Sequence, residues 1–254
     1  MLRAQKSACE SPIRRIYEDA LAFFFPPMCA SCKERLAPDE DIFCGPCRSG
    51  FEYISKRFCD LCGAPIHSAP NEEKRCRNCP ALPVHFTRAR AALLYQGAVA
   101  DGIIAFKFNR RLEMAEFFAR TLFMFIETEM KGARFDVLIP VPLHFLRFFH
   151  RGYNQAEEIG RILAKMLGIP LWTEVLSRRR ATKPQTRLSH AKRHANVRDA
   201  FAARFTEPYS RAHILLLDDV YTTGNTLNAC SKVLKEAGAW EITAMTVCRA
   251  IKSD

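Results

Sequence analysis

No run of about twenty apolar residues occurs in this 254-residue chain, so no stretch has the length and character of a helix crossing a bilayer. Residues 1–6, Met-Leu-Arg-Ala-Gln-Lys, likewise lack the apolar core of a secretory signal. The expectation is a soluble, cytoplasmic protein without stable membrane insertion. Acid is in deficit: 27 Asp and Glu face 38 Lys and Arg, a net charge of +11. That balance favours acidic partners such as nucleic acid, anionic membrane or phosphate-rich small molecules, without choosing among them. Residues 178–198 hold eight Lys or Arg and no acid at all. Large apolar side chains are scarce between residues 26 and 85, too few for a core of their own. Charged (26%) and apolar (48%) contents are both in the globular range, so long disorder is not indicated.

What the chain has in excess is cysteine. Of eleven, eight form four Cys-x-x-Cys pairs: Cys29 and Cys32, Cys44 and Cys47, Cys59 and Cys62, Cys76 and Cys79. The intervening stretches are 11, 11 and 13 residues. A reducing compartment argues against disulfides, and two such hooks facing each other across a short loop give tetrahedral sulfur ligation. Two structural zinc ions are predicted, paired sequentially (Cys29, Cys32, Cys44, Cys47; then Cys59, Cys62, Cys76, Cys79) rather than as an interleaved cross-brace. Closed four-sulfur sites leave no open position for catalysis. With little apolar core nearby, zinc would hold this segment together, at roughly 10–16 kcal/mol per site. Cys9, Cys230 and Cys248 stand apart, and Cys230 shares an apolar helix face with Leu227, Leu234 and Ala237.

Three segments are expected: an amphipathic helix within residues 1–25, a double zinc ribbon over 26–85, and an α/β domain over 86–254. The helix has Ser11 as N-cap, Pro12 at its first position and Pro26-Pro27 as its stop. It packs on the body or lies on a membrane surface. In the α/β domain, strands are predicted at 89–95, 135–139, 214–217 and 241–247. Helices are predicted at 99–108, 112–130 and 154–167, with a last one running to Ala237 before Gly238. Asn154 is an N-cap, and the Phe-rich face of the second helix belongs to the core.

The most informative stretch is Asp218-Asp-Val-Tyr-Thr-Thr-Gly-Asn-Thr226 behind the aliphatic strand 214–217. Backbone N–H groups of Thr222, Thr223, Gly224, Asn225 and Thr226, at the start of a helix, suit a phosphate dianion. Asp218 and Asp219 suit the adjacent hydroxyls of a ribose. The block looks like the phosphoribosyl pyrophosphate (PRPP) motif of type I phosphoribosyltransferases. By that resemblance, Val141, Pro142, Leu143 and His144, at the carboxyl end of an earlier strand, occupy the pyrophosphate turn. Arg178, Arg180 and Gln185 open the basic segment, which is either a lid over an anionic ligand or a nucleic-acid contact. In the latter case Arg147, Arg151, Arg179, Lys183, Arg187, Lys192 and Arg193 are the candidate phosphate contacts, with Phe148, Phe149 and Tyr153 as stacking rings.

The cysteine ribbon, Pro140-Val-Pro-Leu-His144, Arg151-Gly-Tyr-Asn-Gln155, Arg178-x-Arg180-x-Thr182-x-x-Gln185-x-x-Leu188, Arg193-x-x-Asn196 and the acidic loop follow in one order. Together they resemble the ComF family of competence-associated, phosphoribosyltransferase-like proteins. The resemblance implies a parallel sheet of about five strands flanked by helices, with a hood near the site. It also implies PRPP binding with Mg²⁺ and a role in uptake or handling of single-stranded DNA, with DNA-uptake proteins as partners. Three readings stay open: a PRPP-binding module, an active Mg²⁺-dependent transferase with a nitrogenous acceptor, and a zinc-ribbon accessory protein for single-stranded DNA.

Overall fold

The computed structural model describes residues 26–55, 57–66, 76, 79, 83–143, 148–149, 151–178, 200–205 and 211–251. The helix expected within residues 1–25 lies outside them. After a short helix α1 (Gly45–Ser49) come β1 (Arg88–Leu94), α2 (Gly97–Phe108), α3 (Met114–Glu129), β2 (Val137–Pro140), α4 (Gln155–Leu167), β3 (Leu176–Arg178) and β4 (Phe201–Ala203). The chain ends in β5 (His213–Tyr221), α5 (Asn225–Glu236) and β6 (Glu241–Arg249). Four strands form a parallel sheet in the order β1-β6-β5-β2, and β3 pairs antiparallel with β4 as a separate hairpin.

The aliphatic run in β5 explains why it sits inside the sheet. Its alternate side chains face opposite layers. Leu215 and Leu217 join Phe106, Phe118, Leu122, Ile159 and Leu163 on one side, and Ile214 and Leu216 join Leu227, Cys230 and Leu234 on the other. All four aliphatic residues of the run are fully buried. The expected fifth strand is reduced to one parallel bridge, Leu138 with Leu171. Leu138 N–H donates to Pro170 O and Trp172 N–H to Leu138 O before the chain turns into the hairpin.

Local signals account for the element ends. The Asn154 side chain accepts from Ala156 N–H at 3.1 Å, and Gly168 closes α4 with φ of 68°. Two strands outrun their expected ends: β5 continues through both aspartates to Tyr221, and β6 to Arg249. Backbone pairing carries them, with Asp218 opposite Thr246 and Tyr221 opposite Arg249.

The cysteine-rich segment is not left without apolar support. Leu36, Ile42, Phe43 and Phe51 are buried in the same cluster as Val99, Ile103 and Phe118. The Phe43 ring packs 5.0 Å from Phe51 and 5.2 Å from Phe117, centroid to centroid. The sequence suggested that zinc alone would hold this segment; its few large side chains instead share the core of the α/β body. Among the described residues, no helix is long and apolar enough to cross a membrane.

Candidate functional site

Parallel strands present their carboxyl ends on one edge, where open α/β sheets bind ligands. Here that edge carries the end of β5, the loop 222–224 and the turn that follows β2. Gly224 precedes α5 with φ of 75°, and no side chain caps that helix. Its first-turn N–H groups therefore lack a side-chain acceptor among the described residues. The Thr223 hydroxyl is buried and has no partner among the described residues, a donor well suited to an anion. Across the edge, Val141 N–H donates to Leu217 O, and Asn154 Nδ2 donates to Val141 O at 3.0 Å, which fixes the start of the 140–143 turn.

The acidic pair is electrostatically divided. Burial, then the charge of Asp219, push the Asp218 carboxyl up to about 7, against the Asp219 N–H bonded to it and the charges of Lys107 and Arg178. Asp219 meets Lys107 Nζ at 2.8 Å. Burial works against the Lys107 charge, yet the Asp219 carboxylate holds its ammonium above the ordinary value. Arg178 stacks 5.2 Å from the centre of the Phe201 ring, and Arg151 stacks 5.1 Å from that of Phe108 while donating to Gln155 Oε1. Cations thus approach the aspartates from α2 and β3, with Arg151 near enough to act on Lys107.

The eight paired cysteines gather into two groups of four, Cys29, Cys32, Cys44, Cys47 and Cys59, Cys62, Cys76, Cys79. Within each group all Sγ atoms lie within 4.8 Å of one another. The grouping is the sequential one. Four convergent sulfurs are the donor set and the crowding that a tetrahedral zinc ion relieves, which supports structural zinc in two ribbon-type sites. The first group rests on the helices, with Ser31 Oγ donating to Asp101 at 2.6 Å. The second rests on the sheet edge, where Ala89 N–H donates to Leu61 O at 2.7 Å.

The profile of the double zinc ribbon domain matches residues 20–80. The chain is 30% identical over 229 residues to the DNA utilization protein YhgH of Shigella flexneri, covering 89% of this chain and 98% of that protein. The chain belongs to the ComF family. Further relatives are Competence protein F of Haemophilus influenzae (29% identity; 89% of this chain, 99% of that one) and Competence protein ComFC of Bacillus subtilis (28%; 85% and 87%). Among solved structures, the chain is similar to a glutamine PRPP amidotransferase from B. subtilis complexed with ADP and GMP. That match has 21% identity, 52% of this chain, 26% of that chain and a TM-score of 0.35. Another is an adenine phosphoribosyltransferase from Saccharomyces cerevisiae (13%; 57% and 72%; TM-score 0.37).

Of the site residues expected from sequence in this ComF chain, the structure brings Asp218, Asp219, Thr222 to Thr226 and Val141 to Leu143 to one edge, with Arg178 beside Asp218. Val141 is buried, so it contributes backbone rather than side chain. His144, Arg147, Arg179, Arg180, Lys183, Gln185, Arg187, Lys192 and Arg193 lie outside the described residues. Tyr153 is buried, 5.6 Å from the Phe106 ring with its hydroxyl donating to Phe106 O, and does not serve as a stacking surface. Phe148 and Phe149 are exposed. Sequence reasoning missed Lys107. Its signal was a lone lysine in the apolar run Ile103-Ile-Ala-Phe106, whose burial requires a carboxylate elsewhere in the chain.

Proposed function

We propose that this ComF chain binds PRPP with Mg²⁺ at the carboxyl edge of its sheet, as a phosphoribosyltransferase-like protein that supports handling of single-stranded DNA. One observation carries the ligand half: two aspartates flanked by Lys107 and Arg178 stand beside a helix start that, among the described residues, has no side-chain cap and a buried threonine hydroxyl without a partner. In this reading Thr222 to Thr226 hold the 5′-phosphate and Asp218 and Asp219 accept from the ribose diol. The backbone of Val141 to Leu143 faces the pyrophosphate, and Arg178, with Arg180 and Gln185 of the basic segment, supplies its cationic and hydrogen-bonding partners. Mg²⁺ would be held mainly by the ligand's own phosphate and ribose oxygens, and would neutralise the pyrophosphate as it leaves. The chain's contribution is orientation of the ribose and a charge pattern complementary to it: carboxylates near the ring, cations near the phosphates.

The DNA half draws on the relatives, two of which are named competence proteins and one a DNA utilization protein. The exposed rings of Phe148 and Phe149, two to three residues before the basic Arg151, suit stacked bases beside phosphates. Replacing both aspartates (Asp218→Ala with Asp219→Ala) removes two charge-assisted contacts of about 1.5–3 kcal/mol each. PRPP affinity by calorimetry with Mg²⁺ should fall by about two to four orders of magnitude. An unchanged affinity overturns the ligand assignment. Release of pyrophosphate on adding nucleobases, amines or single-stranded DNA would move the assignment from binding to transfer.

A further inference from the structure

We infer that Arg249 is a positioning residue that couples the second cysteine site to the phosphate loop, so that zinc held by Cys59, Cys62, Cys76 and Cys79 sets the order of residues 222–224. Arg249 ends β6 and is buried to 9% exposure. Its Nη1 donates to Cys62 O at 2.5 Å, and its Nη2 points at Cys62 Sγ at 3.6 Å. The guanidinium carbon Cζ lies over the Tyr221 ring, 4.1 Å from its centre. Tyr221 is its partner in the strand ladder, and the Tyr221 carbonyl accepts from Ala250 N–H at 2.9 Å. The phenol end of that ring supports Gly224: a Cβ built at Gly224 would fall against the hydroxyl and within 2.7 Å of Cζ. An unbroken set of contacts therefore runs from a cysteine ligand, through a guanidinium and an aromatic ring, to the glycine that closes the loop.

The chemistry of the set explains why it should respond to metal. A buried guanidinium needs a counter-charge, and the contacts described for Arg249 are a carbonyl, a sulfur and a ring, none of them a carboxylate. Four thiolates around one divalent zinc carry a net charge of about −2, and N–H donors to ligand sulfur are the usual support of such sites. Cys62 sits in the knuckle 59–63, pressed against β1: a Cβ at Gly63 would lie 2.5 Å from Ala89 O. Zinc fixes that knuckle and keeps its four cysteines as thiolates, whose excess negative charge is the counter-charge. Without it Arg249 loses its anchor, Tyr221 loses the cation that clamps its ring, and Gly224 loses its support. The first cysteine site has no corresponding contacts among the described residues, since it rests on α2 and α3.

The effect on ligand affinity rests on the phosphate-loop reading above, whereas the effect on loop order does not. Arg249→Met keeps the length of the side chain and removes its charge and donors. It should raise amide hydrogen exchange at residues 222–224 while leaving residues 29–47 unchanged. One of the two zinc ions should pass to a chromophoric chelator about tenfold more readily. PRPP affinity should fall by about five- to hundredfold, and in the wild-type chain PRPP should tighten equilibrium binding of that same zinc by the factor by which that zinc tightens PRPP binding. Arg249→Lys, which keeps the charge without the two-pronged contact, should fall between. Tyr221→Leu offers a second route: it should loosen the loop while both zinc ions stay bound. Unchanged loop exchange in either folded variant overturns the coupling. Absence of PRPP binding by the wild-type chain would instead overturn the ligand assignment, leaving the exchange result to decide the coupling.

Discussion

The first cysteine cluster meets the α/β body mainly through apolar rings, and the second adds hydrogen bonds and two buried arginines to its apolar contacts. On the first side, Phe43, Phe51 and Phe117 pack edge to face or tilted, and Gly102 of α2 leaves the space that the Phe43 ring fills. On the second, Arg90 donates to Asp60 O at 3.0 Å and lies over Phe58, while Arg249 holds Cys62. Two clusters of the same ligand type are thus fastened by different physics. An apolar contact is strong and indifferent to direction; it secures a segment without fixing what lies behind it. Hydrogen bonds from a rigid guanidinium are directional, and they can transmit the state of one site to another.

The largest effect should come from breaking the apolar fastening. Phe43→Ala removes a ring that is 2% exposed and wedged between α2 and α3. The cost should be about 3–5 kcal/mol of stability, read as an earlier midpoint in chemical denaturation. Residues 222–224 should keep their exchange rates in the folded protein. A loop loosened by Phe43→Ala as much as by Arg249→Met would erase the distinction between the two sides.

The two fastenings were also unequally legible in the sequence. The double hooks of cysteine specified both clusters and their grouping, because ligand spacing is a local property. The burial of 214–217 was equally plain, since four consecutive aliphatic residues fit a strand covered on both faces. What went unseen depends on distant partners. Arg249 donates to a carbonyl 187 residues away, and nothing in the run Thr246-Val-Cys-Arg249 announces it. Expecting β5 to stop at Leu217 treated the aspartates as an edge signal, whereas hydrogen bonding to β6 carries the strand to Tyr221 and so brings that ring under Gly224. Phe43 and Phe51 were too few to suggest a core alone, and they acquire one only by sharing it with α3.

A change of pH should separate the apolar fastening from the ligand site with a smaller effect. The rings around Phe43 carry no titrating group, but burial and Asp219 hold the Asp218 carboxyl up to about 7. Its value in the unfolded chain is near the ordinary ~3.9, so the folded protein takes up the proton more readily. The stability this contributes is fully present below about pH 4 and is lost as pH rises through about 7. Asp218→Asn should flatten that decline. Binding runs the other way, because the ribose diol is held by the ionised carboxylate. PRPP affinity should rise about tenfold per pH unit up to about pH 7 and level off above it. An affinity independent of pH from about 5.5 to about 8.5 would show that Asp218 binds without its charge.

The smallest effect sharpens the comparison from within the first cluster, which has directional contacts of its own, among them Arg111 donating to Met28 O at 3.4 Å. Ser31 Oγ donates to Asp101 Oδ2 at 2.6 Å, joining the first knuckle to α2, but the pair is exposed. Water competes for both groups, so Ser31→Ala should cost no more than about 1 kcal/mol. If direction rather than mere contact is what couples a cluster to the loop, this bond should still transmit nothing, because α2 offers it no ring-and-glycine relay. Zinc retention by the first site, exchange at residues 222–224 and PRPP affinity should all stay at wild-type values in Ser31→Ala. A loosened loop in that variant would mean that α2, through Lys107 and its contact with Asp219, is a second route from ribbon to site.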